Sequence, residues 1–327
     1  MADFTKITSW AIKNTARFNV SLVKLSWVDE WLPGFFDYRA KVKIGKDVYA
    51  GRGIDIKEDI ACDKALAEAF ERAALSNMSS PWATAAYPDY AGASERAYRE
   101  LVCIDRVLCH HFCRKKFKLL DTEILSTPKI ASARLEIFLA KHGLKLELCE
   151  LRPVTDAKVA AAFIWSERSH RVKGIVSGFG CETTLADAAL HALIECLRTA
   201  VAVFYGDIVP EPWELRCTSG NPRWHFWMAQ KAKAKEFLIN SLLSAPHDHD
   251  VVWDAEEISF KDVLLQEVLS LETFIPDLPV RIVQASSVKM LKPQFGMVSM
   301  NEQFMRRLET FIGHRVMPEK TVPHFYD

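Results

Sequence analysis

The sequence predicts an α/β (α+β) fold built from pseudo-symmetric units, in each of which a strand hairpin runs through a glycine pair into a helix. Three observations predict it. The stretch Gly51–Arg72, GRGIDIKEDIACDKALAEAFER, leads from a glycine pair into an amphipathic helix, and it recurs 127 residues on at Gly178–Arg198, GFGCETTLADAALHALIECLR. In both copies the second glycine stands fifteen positions before a glutamate, Glu68 or Glu195, and Ala61 and Ala65 match Ala188 and Ala192. Strand pairs followed by helices recur along the chain, as such a repeat requires.

In order, FNVSLVKLSWV, YRAKVKI and DVYA within residues 18–50 read as strands, the last two joined at Gly45-Lys46-Asp47 as a half-buried hairpin. The first helix is expected from Asp55, which has capping-box spacing to Glu58, to about Ser76, before Pro81 and Pro88 break the chain. A second helix is expected from about Ser94 to Phe117; its Ala93, Ala97 and Glu100 repeat the Ala-Ala-Glu frame behind a single glycine, Gly92. A strand and a helix follow at 130–150. AAAFIWSE and RVKGIVSG then read as the hairpin entering the second glycine pair, where Thr184 and Asp187 form a capping box that makes Asp187 a cap rather than a ligand. An irregular insertion is expected at about 207–257, with PHDHD at 246–250 as a loop, then an amphipathic helix at 260–273 and a buried strand in PVRIVQA. One domain over 1–327 accommodates all of this.

Lys plus Arg equals Asp plus Glu at 42 each, so overall charge gives no basis for nucleic-acid binding. No signal sequence opens the chain and no eighteen-residue apolar run occurs, which predicts a cytoplasmic protein without a membrane segment. Eight cysteines without CxxC pairs fit reduced thiols. The cluster Cys103, Cys109, His110, His111 and Cys113 is the one place where zinc is conceivable; packed free cysteines are the default, since structural zinc draws on two separated pairs.

Ala61, Ala65, Glu68 and Arg72 lie on one helical stripe. A glutamate on a close-packed stripe needs a cation, a hydrogen-bond partner or a metal. A solvent-exposed glutamate beside Lys64 and Arg72 is the alternative for one copy, and the recurrence in frame weighs against it. Glu68 and Glu71 are adjacent on the helix, and with Glu100 and Glu195 they would form a carboxylate cluster whose repulsion cations relieve. Magnesium is the natural occupant of an oxygen-only site, with Arg72 and Arg281 placed to stabilise a transferring phosphoryl group. No Walker loop or kinase motif set is present.

These residues resemble the YcaO family over nearly the whole chain from about residue 18. GRG, the alanine frame and EAFER resemble its first ATP-site helix, with Glu68 and Glu71 matching Glu-x-x-Glu and Arg72 the arginine that follows. ELVCIDRVLCHHF is similar to the second helix, which reads E-L-x-E-R-D: Glu100 and Asp105 match, while Cys103 and Ile104 stand in for glutamate and arginine. In the third block Glu195 matches the glutamate and Arg198 takes a position often held by glutamine. PVRIVQASSVKMLKPQFG and the terminal VPHFYD, with Pro323 retained, are similar to the family's last strand and proline-rich tail.

The resemblance implies a YcaO-like fold that binds ATP and Mg2+ through Glu68, Glu71, Glu100, Asp105 and Glu195. It implies ATP-dependent activation of a peptide backbone amide: cyclodehydration of Cys, Ser or Thr to azolines in a ribosomally made peptide, or thioamide formation with external sulfide. The residues before 50 are too few for a leader-binding domain, so a leader-binding or activating partner protein is expected beside the substrate peptide, as is a homodimer. Cys103 and Ile104 motivate the rival reading of a non-catalytic subunit. A structural cluster neutralised by Arg72 and Arg198 is a third.

Overall fold

A computed structural model of the chain describes residues 5–76, 78, 82–125, 132–166, 174–204, 227–229, 231–243, 254–269, 271, 275, 277–294 and 298–315. In chain order the elements are α1 (Thr5–Lys13), α2 (Thr15–Phe18), β1 (Ser21–Lys24), α3 (Trp27–Trp31), β2 (Phe36–Ile44), β3 (Asp47–Asp55), α4 (Glu58–Leu75), β4 (Ala83–Tyr87), α5 (Tyr90–Cys113) and β5 (Lys118–Leu120). There follow α6 (Ser132–His142), β6 (Leu144–Leu151), β7 (Lys158–Ser166), β8 (Val176–Glu182), α7 (Leu185–Phe204), α8 (Ala232–Phe237), β9 (Leu264–Glu267), β10 (Arg281–Ser286) and α9 (Glu302–Ile312). They group into two compact units, Met1–Leu101 with Pro128–Ala131 and Val263–Ser286, and Val102–Thr127 with Ser132–Asp262 and Ser287–Asp327. The boundary at Leu101/Val102 falls inside α5.

The first unit holds two antiparallel sheets, ordered β1-β2-β3 and β4-β10-β9. Gly45, at φ 63° in the first of two loop positions, turns β2 into β3, a conformation that costs glycine no Cβ clash. The glycine pair then acts by absence of a side chain. A Cβ on Gly51 would overlap the Ala65 carbonyl and the Ala69 amide, and one on Gly53 the Ala61 carbonyl and the Ala65 amide. Strand and helix backbones are therefore in direct contact, with Ala61, Ala65 and Ala69 fully buried between them. The other side of α4 packs Leu66, Phe70, Ala73 and Ala74 against Ile7, Ala11, Val280 and Ile282.

The second unit repeats the device in a four-stranded antiparallel sheet, ordered β5-β6-β7-β8. A Cβ on Gly178 would strike Ala192 and Cys196, and one on Gly180 would strike Ala188 and Ala192. Each of these contacts is its counterpart in the first unit shifted by 127 positions. β7 is buried from Val159 through Ser166, as a central strand covered on both faces must be. The expected capping box forms, with the Asp187 amide donating to Thr184 Oγ1 at 3.1 Å.

Several expectations need correction. The helix expected at 260–273 is a short 3-10 turn, Phe260–Asp262, followed by β9; Leu264 and Gln266 are exposed and Leu265 and Glu267 half-buried, so a period of two, completed by pairing to β10, overrides the helical pattern. The first strand shrinks to β1, and Trp27–Trp31 is helical. Asp55 makes no capping box: its Oδ1 accepts the Lys57 amide and its Oδ2 meets Lys64 at 2.7 Å, leaving Lys57 at the N-cap. α5 starts at Tyr90, where the Asp89 side chain accepts the Gly92 amide, and ends when Arg114 turns left-handed at φ 50° and the Lys115 amide returns to the His110 carbonyl. α9 was not foreseen, although Asn301 caps it by accepting the Phe304 amide and Gly313 stops it at φ 83°. Most of the expected insertion at 207–257, PHDHD and the terminal VPHFYD lie outside the described residues.

The close strand–helix contact predicts a specific fragility. Gly51→Ala or Gly178→Ala would force backbone apart from backbone, at a cost of about 1–3 kcal/mol or more. Urea unfolding of each variant against wild type should show the loss, with Ala61 and Ala188 unchanged in sequence.

Candidate functional site

The first unit brings three carboxylates together. Glu68, half-buried on α4, is held by both ends of its carboxylate: Oε2 accepts the Arg52 amide at 2.6 Å, and Oε1 pairs with Arg72 Nη2 at 2.6 Å. Arg72 Nη1 donates to the Ala50 carbonyl at 2.8 Å. Two side chains one helical turn apart thus occupy the outer edge of β3, which the glycine contacts bring within their reach. The Arg52 side chain turns away to Asp37, fully buried, at 2.6 Å, and lies over Trp27, whose indole also donates to Asp37.

Glu71 accepts the Ala86 amide of β4, also an edge strand. Its pKa is pushed up to about 8, first by burial, then by the charges of Glu68 and Glu100, against a lowering by Arg72 and the Ala86 amide. Glu100, half-buried on α5, therefore belongs to the same field. Glu68, Glu71 and Glu100 are three of the four carboxylates expected from the sequence to cluster, and the charges of the other two act on Glu71. A divalent cation is the kind of ligand that relieves repulsion between gathered carboxylates. Among the described residues, no group of three or more His, Cys, Asp or Glu side chains is gathered tightly enough to hold a metal ion by itself.

The remaining predicted residues have ion partners of their own. Arg281, half-exposed at the start of β10, pairs with Glu267 at 3.2 Å. Glu195, on α7 in the second unit, pairs with Arg198 at 2.9 Å, so this copy of the motif neutralises its own carboxylate.

Asp105 is a correction. It is fully buried, and both oxygens are saturated: Oδ1 accepts the Leu291 amide at 2.8 Å and Arg307 Nε at 2.9 Å, while Oδ2 meets Arg106 Nη2 at 2.5 Å and Arg307 Nη2 at 2.7 Å. Glu256 closes the network on Arg106 at 2.6 Å and Arg307 at 2.7 Å. The arginines hold Asp105 down at about 2 despite burial. Nothing on this carboxylate is left for a cofactor; it anchors α5 to α9.

The cysteine–histidine cluster is packing. His110 Nε2 accepts the Arg152 amide at 3.0 Å, which puts the ring proton on Nδ1, bonded to the Lys115 carbonyl at 2.8 Å. Burial pushes its pKa down to about 3. The cysteines among the described residues are free thiols.

No protein-family model matches the chain, and no curated protein matches its sequence. Solved structures do. A heterocyclase in complex with substrate and cofactor superposes with a TM-score of 0.61 at 13% identity, over 94% of this chain and 57% of the heterocyclase. YcaO from Methanopyrus kandleri, bound with AMPPCP and Mg2+, gives 0.58 at 13% identity, over 91% and 95% of the two chains. The chain has the YcaO fold. The E. coli microcin synthetase McbBCD complex agrees, at 0.52 and 11% identity over 77% of this chain and 84% of the matched one. This chain spans little more than half the length of the heterocyclase. Within the YcaO fold, Arg52, Asp37, Glu256 and Arg307 are the partners that sequence reasoning missed. Arg52 alone carried a signal, by its place between the two glycines of the motif.

Two measurements test these electrostatics. A carboxylate with a raised folded-state pKa keeps its proton when the unfolded chain has lost its own, so Glu71 favours folding at low pH and that contribution disappears as pH rises from about 4.5 to about 8. Glu71→Gln should flatten the fall in metal-free stability across this window by up to a few kcal/mol, read by urea unfolding at pH 5 and pH 8. Asp105 works in the opposite sense: its stabilisation is present above 3.8 and lost as pH falls towards about 2. Asp105→Asn leaves two buried guanidinium groups undercompensated and should cost about 3–5 kcal/mol at neutral pH.

Proposed function

We propose that the chain binds magnesium ATP at Glu68, Glu71 and Glu100 and uses it to activate a peptide backbone amide, most specifically for cyclodehydration of Cys, Ser or Thr to an azoline in a ribosomally synthesised peptide. The observation that carries this reading is Glu71. It lies beside Glu68 on α4 and within the field of Glu100, and burial with these two charges pushes its pKa up to about 8, the kind of perturbed carboxylate that supports a cation-binding reading. The M. kandleri YcaO of the same fold is bound with AMPPCP and Mg2+, and the heterocyclase with substrate and cofactor. Magnesium takes one or two protein carboxylates and completes its octahedron with water and phosphate oxygens, so three carboxylates that do not close a cage fit it.

When bound, ATP supplies the phosphoryl group that turns the amide oxygen into a leaving group, and Mg2+ neutralises its phosphates. The chain's own residues prepare for both. Arg52 and Arg72 fix the Glu68 carboxylate from two directions, and the Ala86 amide fixes Glu71. Arg72, half-exposed, keeps guanidinium surface open for phosphate, and Arg281 is a second cation for the same role. Glu195 serves with Arg198 on the second copy. A substrate peptide, a leader-binding or activating partner and a homodimer in the cytoplasm complete the proposal, and thioamide formation from external sulfide is its variant chemistry.

A second reading has its own support. Cys103 and Ile104 are buried and Asp105 is sealed in its ion network, so α5 contributes Glu100 alone, as in a subunit that kept the fold and lost the chemistry. Calorimetry with Mg-ATP separates the two. Wild type should bind, and Glu71→Gln or Glu68→Gln should weaken binding roughly ten- to a hundredfold, the scale of one charge-assisted contact; no heat from wild type establishes the non-catalytic reading. Mass spectrometry of co-expressed peptides then distinguishes azoline, by loss of water, from thioamide, by replacement of oxygen with sulfur.

A further inference from the structure

We propose that the solvent-facing side of the β1-β2-β3 sheet is a docking surface for an acidic, extended polypeptide segment laid along the outer edge of β1. Strand alternation places Arg39, Lys41 and Lys43 of the central strand on this side, all exposed, at intervals of about 7 Å. Among the described residues none of the three side chains enters an ion pair or hydrogen bond. The register sets Val23 opposite Arg39, Ser21 opposite Lys41 and Val48 opposite Lys43. Val23 is 53% exposed and Val48 is 60% exposed. The carboxylate on this face of β2, Asp37, is fully buried and taken by Arg52 and Trp27. A chain with zero formal net charge therefore gathers three unengaged cations on one sheet face.

Three features select the occupant. The cations recur every second residue, which is the spacing of like-facing side chains on an extended strand and suits alternating Asp or Glu. Among the described residues β1 has no strand paired on its outer side, whereas the outer edge of β3 is occupied by Glu68 and Arg72; strand addition at β1 would supply main-chain hydrogen bonds. Ser21 and Val23 are short, so the longer cations of β2 can lean across them towards the added strand. A single-stranded nucleic acid would want unengaged aromatic rings for stacking, and Trp27 is already taken by Arg52. The proposal is independent of the nucleotide site and is tested without nucleotide.

A fluorescent peptide alternating Glu with Val is titrated into the full-length protein and followed by anisotropy. The expected result is saturable binding that weakens with added salt. Arg39→Gln/Lys41→Gln/Lys43→Gln should lower the affinity roughly ten- to a hundredfold at unchanged Tm, since each side chain is exposed, while Lys233→Glu on α8 leaves it alone. Backbone N-methylation of the peptide along one edge should abolish binding if it adds as a strand. The proposal is overturned by absent or non-saturable binding, by equal affinity in the triple variant, or by equal binding of the N-methylated peptide. It is overturned equally if a single-stranded RNA or phosphatidylserine vesicles occupy the same cations more tightly than the peptide.

Discussion

Everything distinctive in this molecule depends on a strand and a helix whose backbones touch. Gly51 and Gly53 leave no room for a methyl group, and Ala61, Ala65 and Ala69 present none larger. At that separation a glutamate at position 68 can reach an amide on the strand itself, and an arginine one turn later can reach a carbonyl two residues back. A larger residue at any of these five positions would lift the helix away and leave both side chains short of their targets. The carboxylate site is a consequence of the packing.

The second copy shows that packing and chemistry separate. Its glycines and small residues meet in the same frame, yet the position equivalent to Glu71 is Arg198, which folds back on Glu195. One scaffold thus holds a carboxylate whose neighbours raise its pKa, and the other an ion pair. The first copy takes its third carboxylate, Glu100, from α5. Further along α5, within the second unit, Asp105 buries two arginines and ties its part of the helix to α9 through Arg307. A buried network of this kind costs desolvation that its ion pairs roughly return, so what it adds is position more than stability.

What the sequence made legible was whatever depends on local spacing. Gly51, Gly178 and the alanine frame are separated by constant intervals, and the hairpins alternate with a period of two; the fold class and three of the carboxylates followed from these. Non-local partners were invisible. Leu264–Glu267 carries a leucine-rich pattern that suits a helix and becomes a strand only because β10 offers a ladder. Asp105 sits in a recognisable motif, but its fate is decided by Arg307, 202 residues away, and by Glu256 in a segment with no regular structure. The Schellman-type end of α5 at Arg114 lacks the glycine that announces such stops, which is why the helix was drawn too long.

The hairpin of β2 and β3 serves two purposes because a strand has two faces and two edges. Its inner face receives α4, its outer edge along β3 receives Glu68 and Arg72, and its solvent face carries Arg39, Lys41 and Lys43. Arg52 stands where these uses meet: its amide holds Glu68, and its side chain, on the cationic face, is withdrawn by Asp37 and Trp27. Were Arg52 unpaired, its charge would extend the basic row to the edge that holds Glu68 and compete with Arg72 for that carboxylate. Burying Asp37 beneath it keeps the two electrostatic regions of one hairpin distinct.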